Sequence, residues 1–284
     1  MSNTLTVAFI AQFDNEVKQA YQGMARLTGT ARTRTGVNGS TYRFPKMGKG
    51  MAQPRVYQAD VTPMNVINSN VTATLEPWNA PEYSDIFAQA QVNFDERREL
   101  VKVVAGALGR RLDQLELDAL LLGTTNTVAV GFGGSNAMNV GKLRAMKRVL
   151  DDNGVPEEDR HVAISATALQ QLLGSAQTTS MFYNQVRSLV DGEIKKFLGF
   201  DFHLIETRTE GGLPLTGNSR TIYAWHRDAV GMAIGMDMST EINYVPEKTS
   251  WLINGKLLAG AINIDNAGIV QATIDESVEV NPTV

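Results

Sequence analysis

Histidines, a glycine cluster and short acidic runs are the parts of this sequence whose residue types could support chemistry. His161, His203 and His226 fall in separate strand-like segments, and none has a second histidine one helical turn away. This spacing gives no local support for a metal site or a catalytic triad, and it favours structural histidines. The glycine cluster at residues 131–134 is not followed by the Gly-Lys-Ser/Thr of a phosphate-binding loop. We therefore predict no catalytic residues, no metal site and no cofactor.

The composition is that of an ordinary globular protein. The 284 residues are 43% hydrophobic and 20% charged, and they include no cysteine. The absence of cysteine excludes disulfides, thiolate metal sites and cysteine nucleophiles. No run of about 18 apolar residues is present that could span a bilayer, and residues 1–12 lack the pattern of a secretion signal. We expect a soluble, cytosolic chain with no membrane partner.

Charge is distributed unevenly along the chain. Seven basic residues and no acidic residue lie between positions 26 and 55, whereas the chain from Asp237 onward is predominantly acidic. Complementary fields of this kind steer association. The pattern is consistent with head-to-tail contact between copies, with a basic face toward nucleic acid, or with two solvated faces.

The first third of the chain has helical and then extended patterns. Apolar residues recur every three or four positions from Phe9 to Leu27, which predicts an amphipathic helix. Residues 28–36 are rich in threonine and glycine and predict an extended, charged arm without a core. Two β-like runs within residues 40–78 predict a long hairpin whose tip, residues 47–54, has too little apolar material to fold on its own.

The strongest helical signal covers residues 94–122. Its apolar residues keep a 3.6-residue period, and Asn93 with Glu96 matches a capping box. A helix of this extent would be about 43 Å long. A shorter helix is predicted at residues 82–89.

The remaining chain predicts an alternation of helices and strands. We expect a helix at residues 139–152 ending at Asn153-Gly154, a strand at 161–164, and a helix at 166–173 capped by Ser165. Strands are predicted at residues 200–207 and 221–225. Two late strands, residues 257–264 and 269–274, are predicted to form a hairpin around the turn at 265–268.

This order of elements resembles the major capsid proteins of tailed bacteriophages, which have the HK97-like fold. The segments VGKLRAMKRVL (140–150) and VPEEDRHVAI (155–164) are similar to the start of that family's axial (A) domain. The segment GEIKKFLGFDF (192–202) is similar to the stretch leading into the next strand of that domain. The helix at 93–122 resembles the spine helix of the peripheral (P) domain, and the hairpin resembles the extended E-loop.

The resemblance implies an α+β, HK97-like fold with five parts. These are an N-terminal arm (1–38), an E-loop (39–80), a P domain with the spine helix (81–135), an A domain (136–240), and P-domain return strands with the C-terminus (241–284). The first helix, the arm and the hairpin would then reach neighbouring subunits. Projecting segments of this kind multiply weak contacts around a ring.

The resemblance also implies a non-enzymatic subunit of an icosahedral shell, built from hexamers and pentamers, that encloses double-stranded DNA. The expected partners are other copies of the chain, a separate scaffolding protein, a portal, and DNA bound by non-specific electrostatics. The expected location is the virion capsid, after assembly in the host cytoplasm. The candidate interface residues are those of the arm and the E-loop: Arg26, Arg32, Arg34, Arg43, Lys46, Lys49, Arg55 and Tyr57.

Two alternatives remain open from the sequence. One is an encapsulin-like shell that holds enzymes instead of a genome. The other is a small α/β enzyme whose site assembles from distant residues such as His161, Arg187 and Asp201. No pattern identifies a partner for a covalent crosslink through Lys46 or Lys49, and none is predicted.

Overall fold

The computed structural model describes residues 23–58, 60–91, 95–123, 125–174 and 196–279. Within these ranges the helices are α1 (Ile86–Gln91), α2 (Glu96–Leu122), α3 (Val140–Asp152) and α4 (Ala166–Gly174). The strands, in chain order, are β1 (Arg32–Arg34), β2 (Thr41–Met47), β3 (Asn68–Thr74), β4 (Glu76–Asp85), β5 (Thr127–Val128), β6 (Arg160–Ser165), β7 (Lys196–Phe197), β8 (Phe200–Ile205), β9 (Leu215–Thr216), β10 (Ser219–His226), β11 (Val230–Val245), β12 (Ser250–Asn263) and β13 (Ile269–Asp275).

In the described part of the chain these strands form three sheets. A four-stranded sheet has the order β1-β11-β12-β4, and a seven-stranded sheet has the order β5-β13-β10-β6-β8-β7 with β9 paired to β10. The third sheet is the isolated hairpin of β2 and β3, in which Thr41 pairs with Thr74 and Met47 with Asn68. The architecture is therefore α+β, and the long hairpin predicted within residues 40–78 is confirmed.

The largest core lies around the seven-stranded sheet. Strand β6 is buried along most of its length because it lies inside the sheet, with β10 on one side and β8 on the other. Helices α3 and α4 contribute further buried side chains to the same core, including Leu143, Met146 and Leu172. The predicted boundaries of both helices hold closely. The Asn139 side chain accepts a hydrogen bond from the backbone N–H of Lys142 at 2.8 Å, and Ser165 Oγ accepts one from Ala168 at 3.1 Å.

Helix α2 packs along the four-stranded sheet. Leu108 is buried together with Leu257 and Ala259 of β12, as its position on the predicted apolar stripe requires. The helix comes close to the sheet at Gly255, where a Cβ atom would meet the side chains of Val104 and Leu108. Glycine at this position permits the close approach of helix and strand.

The predicted first helix does not extend to Leu27. Residues 23–27 are not helical, and the rest of that prediction, beginning at Phe9, lies outside the described residues. Residues 23–31, which we call the arm root, pack against α2 and the seven-stranded sheet. Leu27 and Ala31 are buried in the main core, so the prediction that the arm carries no core is also wrong.

Two helix starts differ from prediction. Helix α2 begins at Glu96, and its predicted cap Asn93 lies outside the described residues. The Glu96 carboxylate accepts a hydrogen bond from Ser84 Oγ at 2.6 Å. The shorter helix starts at Ile86 rather than at residue 82, because the residues up to Asp85 pair with β12. Sheet pairing has overridden the local helical pattern there.

The predicted hairpin of the two late strands is wrong. The turn exists, with the backbone N–H of Gly268 bonded to the carbonyl of Asp265 at 3.1 Å. However, β12 pairs with β11 and β4, whereas β13 pairs with β10 and β5. The turn therefore carries the chain from one sheet to the other.

Candidate functional site

The base of the β2–β3 hairpin is fixed to its own chain. Phe44 has an exposed fraction of 1% and forms a small core with Ala73, Leu75, Ala233 and Ile264. A Cβ atom at Gly231 would lie 2.7 Å from the Phe44 ring. The base of the hairpin is therefore buried by the chain's own sheet and not by a neighbouring subunit.

Beyond this base the hairpin exposes apolar side chains. The backbone N–H of Gly48 bonds to the carbonyl of Ile67 at 2.8 Å, so the two arms of the hairpin still lie side by side just beyond β2 and β3. Between them, Tyr57 is 98% exposed. Large apolar side chains are exposed along the same segment at Met51, Val56, Tyr57, Val61, Met64 and Ile67. A contiguous exposed apolar segment of this kind indicates a contact surface for another protein.

Two lysines of the hairpin contact the chain's own body. Lys46 Nζ lies 2.9 Å from Asp265 Oδ1, and Lys49 Nζ donates to the carbonyl oxygen of Asn153 at 3.1 Å. The sequence analysis predicted both lysines as interface residues. In the single chain Lys46 holds the hairpin against the turn that links β12 to β13, and Lys49 holds it against the end of α3.

The arginines of the arm and hairpin divide into paired and unpaired groups. Arg26 lies 3.2 Å from Glu206. Arg32 and Arg34 lie on β1, which pairs in parallel with Gly231–Ala233 of β11. Within the described residues no ion pair involves four of the predicted interface arginines: Arg32, Arg34, Arg43 and Arg55.

The arm root is held by a polar cluster that the sequence analysis missed. The backbone N–H groups of Arg26 and Leu27 donate to the two carboxylate oxygens of Asp113 at 2.8 and 3.0 Å. Arg208 lies 2.6 Å from Asp113, and the indole N–H of Trp225 donates to the Thr30 carbonyl at 3.1 Å. Two acidic residues, Asp113 and Glu116, interrupt the apolar stripe of α2. That interruption was the available signal in the sequence.

The histidines come closer together than the sequence suggested. His161 Nδ1 lies 3.1 Å from His203 Nε2, because β6 and β8 are parallel neighbours. Burial and the neighbouring His203 lower the pKa of His161 to about 4. His226 is separate, and its Nδ1 accepts a hydrogen bond from the backbone of Asp228 at 3.2 Å. Among the described residues no cluster of three or more His, Asp or Glu side chains is arranged to hold a metal.

The site proposed for an enzyme is only partly formed in the described residues. Asp201 occupies the position opposite His161 in the sheet register, and it lies 3.5 Å from Lys196. Arg187, the third residue of that hypothesis, lies outside the described residues. The two histidines and Trp225 form a group of neighbouring rings at tilted angles, with the ring centroids of His161 and Trp225 5.9 Å apart.

The far end of the four-stranded sheet carries further exposed apolar side chains. Ile86, Phe87 and Tyr83 are exposed near the start of α1, and Ile242 and Tyr244 near the end of β11. A groove of about 490 Å³ separates α2 from β11 and is lined by Asp95, Arg97, Arg98, Val101, Lys102 and Ile242. The molecule thus presents apolar surface both on the hairpin and on this sheet. None of the described helices is both long and apolar enough to cross a membrane.

Comparison with known proteins identifies this arrangement. A family model of phage capsid proteins matches residues 5–276. The chain belongs to the phage capsid protein family. Among curated protein sequences none matches significantly.

Solved capsid structures share the fold. The acid-stable capsid of Helicobacter pylori bacteriophage KHP30 matches with a TM-score of 0.77 at 11% identity, covering 97% of this chain and 99% of that one. The capsid of cyanophage P-SCSP1u matches with a TM-score of 0.74 at 15% identity over 94% and 93%. Mycobacterium phage Che8 gives 0.72 at 15% identity over 95% and 98%. The predicted HK97-like fold of this capsid protein is confirmed.

The family sets the role of the molecule. This chain is a phage capsid protein that associates with itself to form the shell, and its place is the capsid of the virion. The family match favours a virus shell over an encapsulin-like compartment. It also identifies a structural protein rather than the α/β enzyme of the third hypothesis.

Proposed function

We propose that this capsid protein assembles through hexamers and pentamers into an icosahedral shell that encloses double-stranded DNA. The observation that carries the proposal is the hairpin, whose base is fixed in its own core while its distal part exposes a continuous apolar segment. Such a segment gains stability only by packing against another chain. The acceptor is a neighbouring copy, with the exposed end of its four-stranded sheet as the matching surface.

We assign the five predicted parts of the chain to the parts of an HK97-like subunit. Residues 1–38 act as the arm, 39–80 as the E-loop, 81–135 as the P domain, 136–240 as the A domain, and 241–284 as return strands and C-terminus. Strand β12 supports the last assignment, since it lies in the sheet that α2 covers. Strand β13 pairs with β10 in the seven-stranded sheet.

The remaining partners belong to the same proposal. Arg32, Arg34, Arg43 and Arg55, which form no ion pair within the described residues, contact nucleic acid or neighbours by non-specific electrostatics. A separate scaffolding protein and a portal take part in assembly in the host cytoplasm, and the mature subunit performs no catalysis. The four arginines support the proposed contact with nucleic acid.

A shortened hairpin tests the proposal. Residues 48–67 are replaced by Asn-Gly, which joins Met47 to Asn68 through a two-residue turn compatible with their pairing. Phe44 and its core stay in place, so the variant is expected to fold with an unchanged melting temperature but to form no closed shells. Electron microscopy and light scattering measure the particles.

A length-matched control separates the effect of the length of the hairpin from the effect of its apolar side chains. Residues 48–67 are replaced by twenty glycine and serine residues, which keeps the span but removes the apolar side chains. We expect this variant also to fold and to fail in shell closure. Parental particles from the shortened variant would overturn the proposed role of the hairpin.

A further inference from the structure

The arm root is bound to the rest of the chain chiefly through its backbone. Arg110 donates to the Gly23 carbonyl at 3.2 Å, and Arg208 donates to the Met24 carbonyl at 3.0 Å. With the bonds from Asp113 and Trp225, side chains of α2, of β10 and of the loop after β8 hold five backbone groups of this short segment. These four side chains, Arg110, Asp113, Arg208 and Trp225, form the binding site of the arm root, which we call the dock.

The dock is closed to solvent at its centre. Leu27, Thr30 and Ala31 of the arm root are buried, and so are Asp113 and Glu116 of α2. Asp113 is fully compensated by Arg208 and two backbone N–H groups. Glu116 has no such cation within the described residues, and its carboxyl faces the hydroxyl of Thr30.

The surroundings of Glu116 favour its protonated form. The Thr30 hydroxyl lies 2.8 Å from the carbonyl oxygen of Leu27 and donates in a short contact to Glu116 Oε1. A hydroxyl has one hydrogen, so this donor is shared between the two oxygens. The Glu116 side chain is buried and lies one helical turn from the Asp113 carboxylate. A neutral carboxylic acid costs less free energy in this site than a carboxylate does.

We propose that the arm root is a proton-dependent latch, which Glu116 holds closed as a carboxylic acid and which opens from α2 when that proton is lost. An ionised Glu116 would leave two carboxylates, Asp113 and Glu116, one helical turn apart in a buried site. Opening brings water to the Glu116 carboxylate and relieves this cost. Attachment of the N-terminal arm to α2 is thus coupled to the binding of one proton by Glu116.

The surrounding charges agree with this assignment. Burial raises the pKa of Glu116 to about 8, with an opposing contribution from the Thr30 hydroxyl and a further increase from Asp113. The other ionisable groups around the dock are Arg26, Arg110, His161, His203, Glu206 and Arg208. Burial lowers the pKa of both histidines from the ordinary value of 6.5, so they bind protons more weakly in the closed state than in the open one and are neutral in both states well above pH 6.5.

The sign of the pH dependence follows from these values. The closed latch binds the proton more tightly than the open one, in which Glu116 has its ordinary pKa of 4.5. Opening therefore releases one proton between pH 4.5 and about 8, and its equilibrium constant rises about tenfold per pH unit in that range. Below pH 6.5 the histidines bind protons more readily in the open state, which opposes this trend. Above pH 8 the equilibrium constant for opening no longer changes with pH.

Hydrogen exchange of the full chain tests the latch. Deuterium uptake of peptides that cover residues 23–33 is measured by mass spectrometry and corrected for the intrinsic exchange rate at each pH. For the parent chain we expect ionisation of Glu116 to raise the opening constant about 15-fold from pH 6.5 to 8, and the constant to level above that pH. Glu116→Gln keeps a neutral side chain that donates to Thr30, and its opening constant should be independent of pH.

Two controls make the result specific. Asp118→Asn removes an exposed carboxylate from the same helix, and the opening constant of this variant should change with pH as that of the parent does. Peptides that cover Ile222–Trp225 should stay protected at every pH, which distinguishes opening of the latch from global unfolding. The proposal is overturned if the opening constant of the parent chain does not change with pH. It is also overturned if the opening constant of Glu116→Gln changes with pH as that of the parent does. If Glu116→Gln does not fold, the parental profile alone decides.

Discussion

Lys142 shows how this chain tolerates buried charge. Its ammonium group donates to three backbone carbonyls of the loop before α3, those of Ser135, Asn136 and Ala137, at 3.1, 2.8 and 2.6 Å. Burial lowers the pKa of Lys142 to about 8, with an opposing contribution from Asp275. Asn139 Nδ2 also donates to the carbonyls of Ser135 and Ala137, and the backbone N–H of Asp275 donates to that of Asn136. Lys142 thus acts together with these donors to fix the loop before α3.

Replacement of this lysine should therefore be costly. Lys142→Met keeps a side chain of similar length but removes three charged hydrogen bonds to backbone carbonyls, and we expect the free energy of unfolding to fall by about 2 kcal/mol. Urea denaturation measures the change. Lys147→Met is the matched control on the same helix, because Lys147 forms only partly exposed ion pairs with Asp151 and Glu157 and should change stability by no more than about 0.5 kcal/mol. Equal effects would refute the role of Lys142.

Secondary structure that depends on neighbouring residues could be predicted from the sequence. The cap at Asn139, the cap at Ser165 and the apolar stripe of α2 are all specified within a few positions along the chain. Pairing between distant segments could not be predicted. Strand β11 was missed, and β12 was assigned to β13, because nothing local distinguishes one buried apolar partner from another. The approach of His161 to His203 and the burial of Phe44 were missed for the same reason.

The apolar face of α2 supports a prediction at the level of the helix. Leu108→Ala removes a buried side chain that packs on Leu257 and Ala259, and it should lower the free energy of unfolding by about 2 to 5 kcal/mol. Leu122→Ala is the control, since Leu122 is 75% exposed at the end of the same helix. Thermal and urea unfolding compare the two. A Leu108 variant as stable as the control would show that the helix does not rest on the sheet at this point.

At the scale of the whole molecule, the sequence alone indicated the family but not which surfaces the single chain already uses. Lys46, Lys49 and Arg26 were predicted to reach other molecules, and each of them contacts its own chain. Such contacts depend on how distant elements fold together, which a charge pattern along the sequence does not encode. The arginines without an ion pair therefore remain as the better candidates for binding nucleic acid.

A charge reversal on β1 tests the role of those arginines in the shell. The Arg32→Glu, Arg34→Glu variant should retain less DNA in its particles, and the deficit should grow as salt is raised from about 50 to 500 mM. The Arg32→Lys, Arg34→Lys variant keeps the charge and should behave as the parent. DNA content per particle, measured by absorbance after nuclease treatment, gives the readout. Full particles of the reversed variant at all salt concentrations would contradict the prediction.

Two of the connections between the two larger sheets lie side by side. One is the short turn at Arg227–Ala229 and the other is Asn266–Gly268, and the backbone N–H of Ile264 bonds to the Ala229 carbonyl at 2.8 Å. A Cβ atom at Gly268 would lie 2.7 Å from that of Ala229. Two adjacent covalent connections restrict the movement of one sheet relative to the other more than a single connection would. In the wall of a closed shell, a force that separates the sheets at this point is carried by two segments of backbone instead of one.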